Sequence, residues 1–135
     1  MEVGITIDRE ESERKLFGFT VFADAQGGGL PIVFRPETST LRVGSAEAPF
    51  SIANLPAGED VRLRIFVDRH IVEVFVNERQ AMVAHHRDYQ GHPDLAAFTV
   101  GASTRLKRVE TWKIHPTNQG FRDAQTTRLW EPSPR

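Results

Sequence analysis

The chain has 135 residues and no cysteine, and its 17 basic and 18 acidic residues leave a formal net charge of −1. This length is typical of one domain, and the lack of cysteine excludes disulfides, thiolate metal ligands and a cysteine nucleophile. The balanced charge provides no attraction to nucleic acid or anionic lipid, and no apolar run is long enough to span a bilayer.

Short segments of alternating apolar and polar residues recur along the chain, and no window of a dozen residues shows a clean helical period. Glycine and proline separate these segments, which is typical of turns. About ten short strands at this spacing predict an all-β fold, an antiparallel two-sheet β-sandwich of the jelly-roll or concanavalin-like kind. The predicted strands are residues 2–8, 16–24, 31–35, 39–44, 49–53, 61–68, 71–77, 81–86, 95–102 and 106–114.

The two ends of the chain leave several questions open. The first residues lack the basic start and apolar stretch of a signal peptide. Because the chain starts inside a strand-like segment, we expect a fragment of a longer protein, secreted or periplasmic if the parent is exported.

We expect residues 1–116 to form the sandwich and residues 117–135 to form a polar tail, which could be disordered, a linker or a tag remnant. Docking of the tail would use three apolar residues: Phe121, Leu129 and Trp130.

Polar residues fill one early connection and the longest glycine run. Residues 9–15 are wholly polar and predict an exposed connection between two strands. Residues 27–29 are three glycines, but neither a helix nor a Lys-Ser/Thr pair follows, so we expect a loop and not a phosphate site. Asp24 beside this loop has too few acidic neighbours to predict a calcium site.

The segment from residue 61 to residue 86 carries the clearest pattern. With Arg69 and His70 as a two-residue turn, one face of the hairpin is wholly apolar, and a slip by one residue would bury charge. With Glu78 and Arg79 as the next turn, the segment becomes a three-stranded antiparallel meander. The predicted pairs of the first hairpin are Val67–Val72, Ile65–Val74 and Leu63–Val76 inside, with Phe66–Glu73 and Arg64–Phe75 outside. Those of the second are Val76–Ala81, Val74–Val83 and Val72–His85 inside, with Phe75–Met82 and Glu73–Ala84 outside.

Residues 63–77 (LRIFVDRHIVEVFVN) resemble the signature of the C-terminal domain of glycoside hydrolase family 32, which contains invertases, levanases, inulinases and related β-fructosidases. The chain departs from that pattern at His70, where serine is typical. Residues 17–19 (FGF) and 109–114 (VETWKI) resemble the early and closing strands of the same domain. The resemblance covers roughly residues 2–116.

The resemblance implies two antiparallel sheets packed face to face, with catalysis in a separate N-terminal propeller. The motifs of that propeller are an Asp nucleophile in Asn-Asp-Pro-Asn, an Arg-Asp-Pro motif and a Glu acid/base beside a Cys, and all are missing here. Residues 87–89 (RDY) are only a partial match. We therefore expect no catalytic residue, no metal and no cofactor in this chain, and the propeller of the same protein as its partner.

Asp68 and Glu73 are the closest candidates for a catalytic pair, since retaining glycoside hydrolysis uses two carboxylates about 5 Å apart. We favour a structural role for both. Asp68 would accept backbone N–H groups in the turn, and Glu73 would pair with Arg64 on a flat sheet face that offers no cleft.

Histidines and tryptophans provide the remaining candidates. His85, His86 and His92 suggest a metal site, but neighbours on a strand point to opposite faces, so we expect one histidine at the core edge and one on the surface. Trp112 and Trp130 could stack on a sugar ring. We expect Trp112 to be buried, because its strand should cover the core.

Three functions fit these observations. The first is an accessory module that buries several hundred Å² per side, roughly the size of a domain interface, against the propeller and supports oligomer contacts. The second is a lectin-like carbohydrate-binding module, with a site of unknown residues on a sheet face or in the end loops. The third is an assembly domain that forms a dimer through an apolar patch. Fold alone does not choose between them.

Overall fold

The computed structural model describes residues 1–13, 15–87, 94–100 and 103–115. In these ranges the chain forms ten strands and one short helix. They follow one another as β1 (Glu2–Ile7), α1 (Arg9–Ser12), β2 (Leu16–Val21), β3 (Leu30–Arg35), β4 (Thr40–Val43), β5 (Ala46–Pro49), β6 (Val61–Asp68), β7 (Ile71–Val76), β8 (Gln80–His85), β9 (Leu95–Val100) and β10 (Leu106–Trp112).

The strands form two five-stranded antiparallel sheets, so the predicted all-β sandwich is confirmed. Sheet A has the order β10-β1-β6-β7-β8, and sheet B has the order β5-β4-β3-β2-β9. Strand β8 contacts β4 and β5, which brings one edge of each sheet together and leaves β9 and β10 at the opposite edges. Among the described residues, no helix combines the length and apolar character needed to cross a membrane.

The core lies between the sheets and follows from the alternation of side chains along each strand. In β1, β3 and β6 every second residue is buried. Phe17 and Phe34 stack at the centre of sheet B, with ring centroids 4.8 Å apart. Full burial of one such side chain stabilises the fold by roughly 1.5–3 kcal/mol. The largest fully buried side chains include Phe19, Phe34, Ile7, Ile32, Leu41, Leu63 and Ile65.

The β6–β7 hairpin has the register predicted from sequence. Val67 faces Val72, Ile65 faces Val74 and Leu63 faces Val76, and these six side chains point into the core. Arg69 and His70 form the two-residue turn, and Arg69 takes a positive φ of 53°. A left-handed residue of this kind matches the turn to the twist of the two strands.

The predicted register of β8 is wrong by one residue. Val74 faces Met82 and Val76 faces Gln80, so Met82 points into the core. Val83, expected inside, is 63% exposed. Ala81 and His85, expected on the same buried face, are exposed as well.

The β7–β8 turn explains this shift. Asn77 and Glu78 both have positive φ, and the Arg79 N–H donates a hydrogen bond to the Val76 carbonyl. These features define a type I′ turn, and it starts one residue earlier than predicted. The Asn77 side chain is buried, accepts a hydrogen bond from the Arg62 N–H and donates to the Asp60 carbonyl. These long-range bonds tie the turn to the start of β6.

Glu59 completes this turn network. Its carboxylate accepts hydrogen bonds from Arg79 at 2.6 and 3.1 Å and from the Asn77 amide at 2.8 Å. The hydrogen bond from Arg79, followed by that from Asn77, lowers the pKa of Glu59 from its ordinary value of 4.5 to about 2. The network is therefore fully formed only while Glu59 is ionised.

Two other expectations need correction. Strand β5 spans Ala46–Pro49 and not residues 49–53. The polar segment 9–15 is not simply an exposed connection, because it contains α1, whose Ser12 is fully buried. The Asp8 side chain caps this helix by accepting the Glu11 N–H, which satisfies one of the free donors in its first turn.

Several predictions fall outside the described residues. They concern the tail, residues 117–135 with Phe121, Leu129 and Trp130, and the candidate metal ligand His92. The division of the chain into a module at residues 1–116 and a tail at 117–135 therefore stays a prediction.

Alanine substitutions in β8 test its register. We expect Met82→Ala to destabilise the fold by about 2–5 kcal/mol, because it leaves a cavity in the core. The neighbouring Val83→Ala should change the free energy of unfolding by no more than about 0.5 kcal/mol, because Val83 faces solvent. Urea unfolding of both variants measures these changes in free energy. A larger loss of stability in Val83→Ala than in Met82→Ala would instead support the register predicted from sequence, in which Val83 is buried.

The Glu59 network predicts how stability depends on pH. Because the folded pKa lies below the ordinary value, the unfolded chain takes up the proton first as the pH falls. We therefore expect Glu59→Gln to be less stable than wild type above pH 4.5, with the difference shrinking between pH 4.5 and about 2. Thermal unfolding across this range measures the effect. Glu37→Gln, at an exposed position between β3 and β4, is the control, and a difference that is constant with pH would contradict the network.

Candidate functional site

A hollow of about 570 Å³ lies on the outer face of sheet A, across β10, β1, β6 and β7. This volume falls within the range of roughly 300–1,000 Å³ found for small-molecule sites. The hollow does not extend to Asp68 or Glu73, where the sequence predicts a face without a cleft. The residues that shape its floor and walls are Glu2, Gly4, Arg62, Arg64, Phe75, Glu78, Arg79, Gln80, Arg108, Glu110 and Trp112.

Trp112 forms one wall of the hollow and is 45% exposed, so the expected burial of this residue is wrong. It lies opposite Glu2 on the outward side of the edge strand β10, next to Gly4 of β1. A Cβ atom at position 4 would lie 3.2 and 3.3 Å from Cζ3 and Cη2 of the indole ring. Glycine at this position therefore leaves room for the outer edge of the ring beside the backbone of β1.

Arg64 crosses the outer face beside this tryptophan. Its guanidinium donates to Glu2 Oε1 from Nε at 3.0 Å and from Nη2 at 2.7 Å. It also lies over the Phe66 ring, 5.1 Å from the centroid, and Phe66 packs edge-on against Phe75. The expected Glu73–Arg64 pair is wrong, since Arg64 turns to β1, whereas Glu73 lies opposite Phe66 and Val83.

The suspected catalytic pair lies away from the hollow. Asp68 is opposite Ile71 at the end of the hairpin, and both Asp68 and Glu73 are exposed. Neither residue lines the hollow, whose carboxylates are those of Glu2, Glu78 and Glu110. This arrangement offers no shared pocket for Asp68 and Glu73.

The other candidates have structural surroundings. His86 stacks on Phe22 at 5.4 Å, whereas His85 is exposed and contacts Arg87. No group of three histidine, aspartate or glutamate residues suited to a metal occurs in the described ranges. The Asp24 carboxylate accepts the N–H groups of residues 26 and 28 and so closes the glycine loop.

Lys107 organises a second charged hollow of about 520 Å³ near α1. Its ammonium lies 2.9 Å from both carboxylate oxygens of Asp60 and 3.2 Å from Asp8. The hydrogen bonds to Asp60 and Asp8 raise the pKa of Lys107. The backbone hydrogen bond from Glu11 is the main cause of the lowered pKa of Asp8. This cluster ties β10 to the helix cap and to the chain before β6.

A third feature is the open edge, which we define as Ala97 and Thr99 of β9 with Leu106 and Val109 of β10. Their registers place them on the core side of each sheet, beside the buried residues of β2 and β1. All four are nevertheless exposed, and Val109 retains 51% of its accessible surface. A sequence pattern could not show this, because it assigns inward positions of an edge strand to the core.

Comparisons with known proteins agree with this architecture. Residues 1–113 match the family model described as "Glycosyl hydrolases family 32 C terminal". The crystal structure of chicken galectin 2 superposes with a TM-score of 0.56 at 12% identity, and the alignment covers 81% of this chain and 87% of galectin 2. At this identity the likeness concerns the fold alone. A search of curated proteins returned no significant match. Because the family model covers most of its length, the chain belongs to the family of C-terminal domains of glycosyl hydrolases family 32.

Proposed function

We propose that this accessory domain docks onto the catalytic domain of its parent enzyme through the open edge and holds the two as one rigid unit. Membership of the family makes the chain a non-catalytic module of a glycoside hydrolase. The exposure of core-side residues at the open edge is the observation that carries the proposal.

Exposed large hydrophobic side chains in the described residues occur near this edge as well as on β7 and β8. Val100 and Leu16 form an exposed cross-strand pair on sheet B, and Ile114 follows β10. Exposed apolar side chains near a strand edge are suited to an interface, and interfaces between domains bury roughly 600–1,500 Å². The open edge thus provides an apolar centre for such an interface.

Backbone hydrogen bonding supports the same surface. Within the described part of the chain, β10 pairs with β1 and β9 pairs with β2, and each ends its sheet. Unpaired strand edges attract further chains and are normally covered. A docked catalytic domain would cover the β9 and β10 edges together, because they lie on the side opposite the β5–β8 contact.

The reaction itself is assigned to the parent's catalytic domain, whose substrates we expect to be β-fructosides. We expect the isolated chain to hydrolyse neither sucrose nor levan, because its suspected carboxylates share no pocket and Glu2 and Glu110 are each bound to an arginine. Assays for released reducing sugar measure this. Hydrolysis by the purified chain that disappears in Asp68→Ala or Glu73→Ala would overturn the assignment.

A charged substitution at the open edge tests whether this surface docks onto the catalytic domain. In the full-length parent, we expect Val109→Asp to separate the unfolding of the two domains into distinct calorimetric transitions, because burying an unpaired carboxylate costs on the order of several kcal/mol. Val83→Asp is the matched control, since this valine is even more exposed than Val109 but lies on β8 at the far edge of sheet A.

The isolated chain provides the second control. Neither aspartate variant should change its own melting temperature by more than a few degrees, because Val109 and Val83 are 51% and 63% exposed. A dimer of the isolated chain that Val109→Asp dissolves would instead assign the open edge to self-association, and light scattering would detect it. Identical calorimetric traces for the two variants of the parent would contradict the proposal.

A further inference from the structure

We propose that the hollow on sheet A binds a neutral carbohydrate, with the exposed face of Trp112 as the stacking platform. This inference goes beyond the accessory role and does not depend on docking, because the hollow and the open edge lie on opposite faces of β10. Trp112 and Glu110 face outward, whereas Val109 faces the core side.

One edge of the Trp112 ring is packed, whereas much of the side chain remains accessible. The Cζ3–Cη2 edge of the ring lies against Gly4, so close that a Cβ atom at position 4 would be 3.2 and 3.3 Å from these two atoms. The tryptophan nevertheless retains 45% of its accessible surface and lines the hollow. A large aromatic surface held in this way suits the flat C–H face of a sugar ring, since it buries apolar area with a defined orientation.

Polar groups near the platform are also held in place. Arg64 is fixed by Glu2 and by the Phe66 ring, and Arg108 is bound to Glu110 at 2.5 Å. The unused N–H groups and carboxylate oxygens of such pairs match the donor and acceptor pattern of neighbouring hydroxyl groups on a sugar ring. Because the pairs form without ligand, little side-chain freedom is lost on binding.

The charge balance selects a neutral ligand. Four arginines and three glutamates line the hollow, and each of the four arginines has a carboxylate partner. The paired carboxylates weaken the attraction of these arginines for a phosphate or another strong anion. A polyhydroxylated neutral molecule can add hydrogen bonds while leaving every pair intact, and 570 Å³ is room for a short stretch of glycan.

Fluorescence of a single-tryptophan chain tests the site directly. The sequence contains two tryptophans, so Trp130→Phe leaves Trp112 as the only one. Titration with levan, inulin and maltodextrin oligosaccharides should shift its emission and protect it from iodide quenching with at least one neutral glycan. Polygalacturonate, a polyanion, should have no effect.

Two variants locate the bound glycan by calorimetry. Trp112→Ala removes the platform, and Gly4→Val displaces the ring while keeping it in the chain. Each should weaken binding at least about ten-fold, with circular dichroism confirming that the sheets are retained. Val83→Ala, on the same outer face but away from the hollow, is the control and should bind like wild type.

The outcomes separate this inference from the docking proposal. The proposed site would be wrong if no neutral glycan changed the emission or iodide quenching of Trp112. It would also be wrong if glycan binding were unchanged in both Trp112→Ala and Gly4→Val. Binding of polygalacturonate alone would overturn the choice of ligand. Val109→Asp in the isolated chain should leave glycan affinity unchanged, so that loss of docking and loss of sugar binding are independent results.

Discussion

Burial of the valine-rich face of the β6–β7 hairpin is the constraint on which the other features depend. Once Val72, Val74 and Val76 point into the core, the alternation of the strands places Arg64 and Phe75 on the outer face. A slip by one residue would bury the charges and remove the hollow together. The same packing that stabilises the sandwich therefore positions the candidate site.

Strand β10 links the two proposed surfaces. As the last strand of sheet A it has one neighbour within the described chain, so its two faces can serve different purposes. Its outward residues, including Trp112 beside Gly4, shape the hollow, and its inward residues form half of the open edge. An accessory domain that docks by one face and binds glycan by the other would hold substrate chains near the catalytic domain.

The charged groups divide by role. Glu59 and Lys107 join elements that are distant in sequence, and their shifted pKa values follow from the hydrogen bonds that do so. The pairs made by Arg64 and Arg108 lie instead on an open face beside an aromatic ring. The first group stabilises the frame of the sandwich, whereas the second leaves polar atoms available to a ligand.

By itself the sequence determined the all-β class, the position of most strands, the β6–β7 register and the family. These follow from local alternation and from a contiguous motif. Only the tertiary structure decided the β8 register, the exposure of Trp112 and the partner of Arg64. Each of these depends on a group distant in sequence: Asn77 bonded to the start of β6, Gly4 beside the edge of the indole ring, and Glu2 beside the guanidinium. Alternation assigns a residue to a face, but packing between distant strands decides whether anything covers that face.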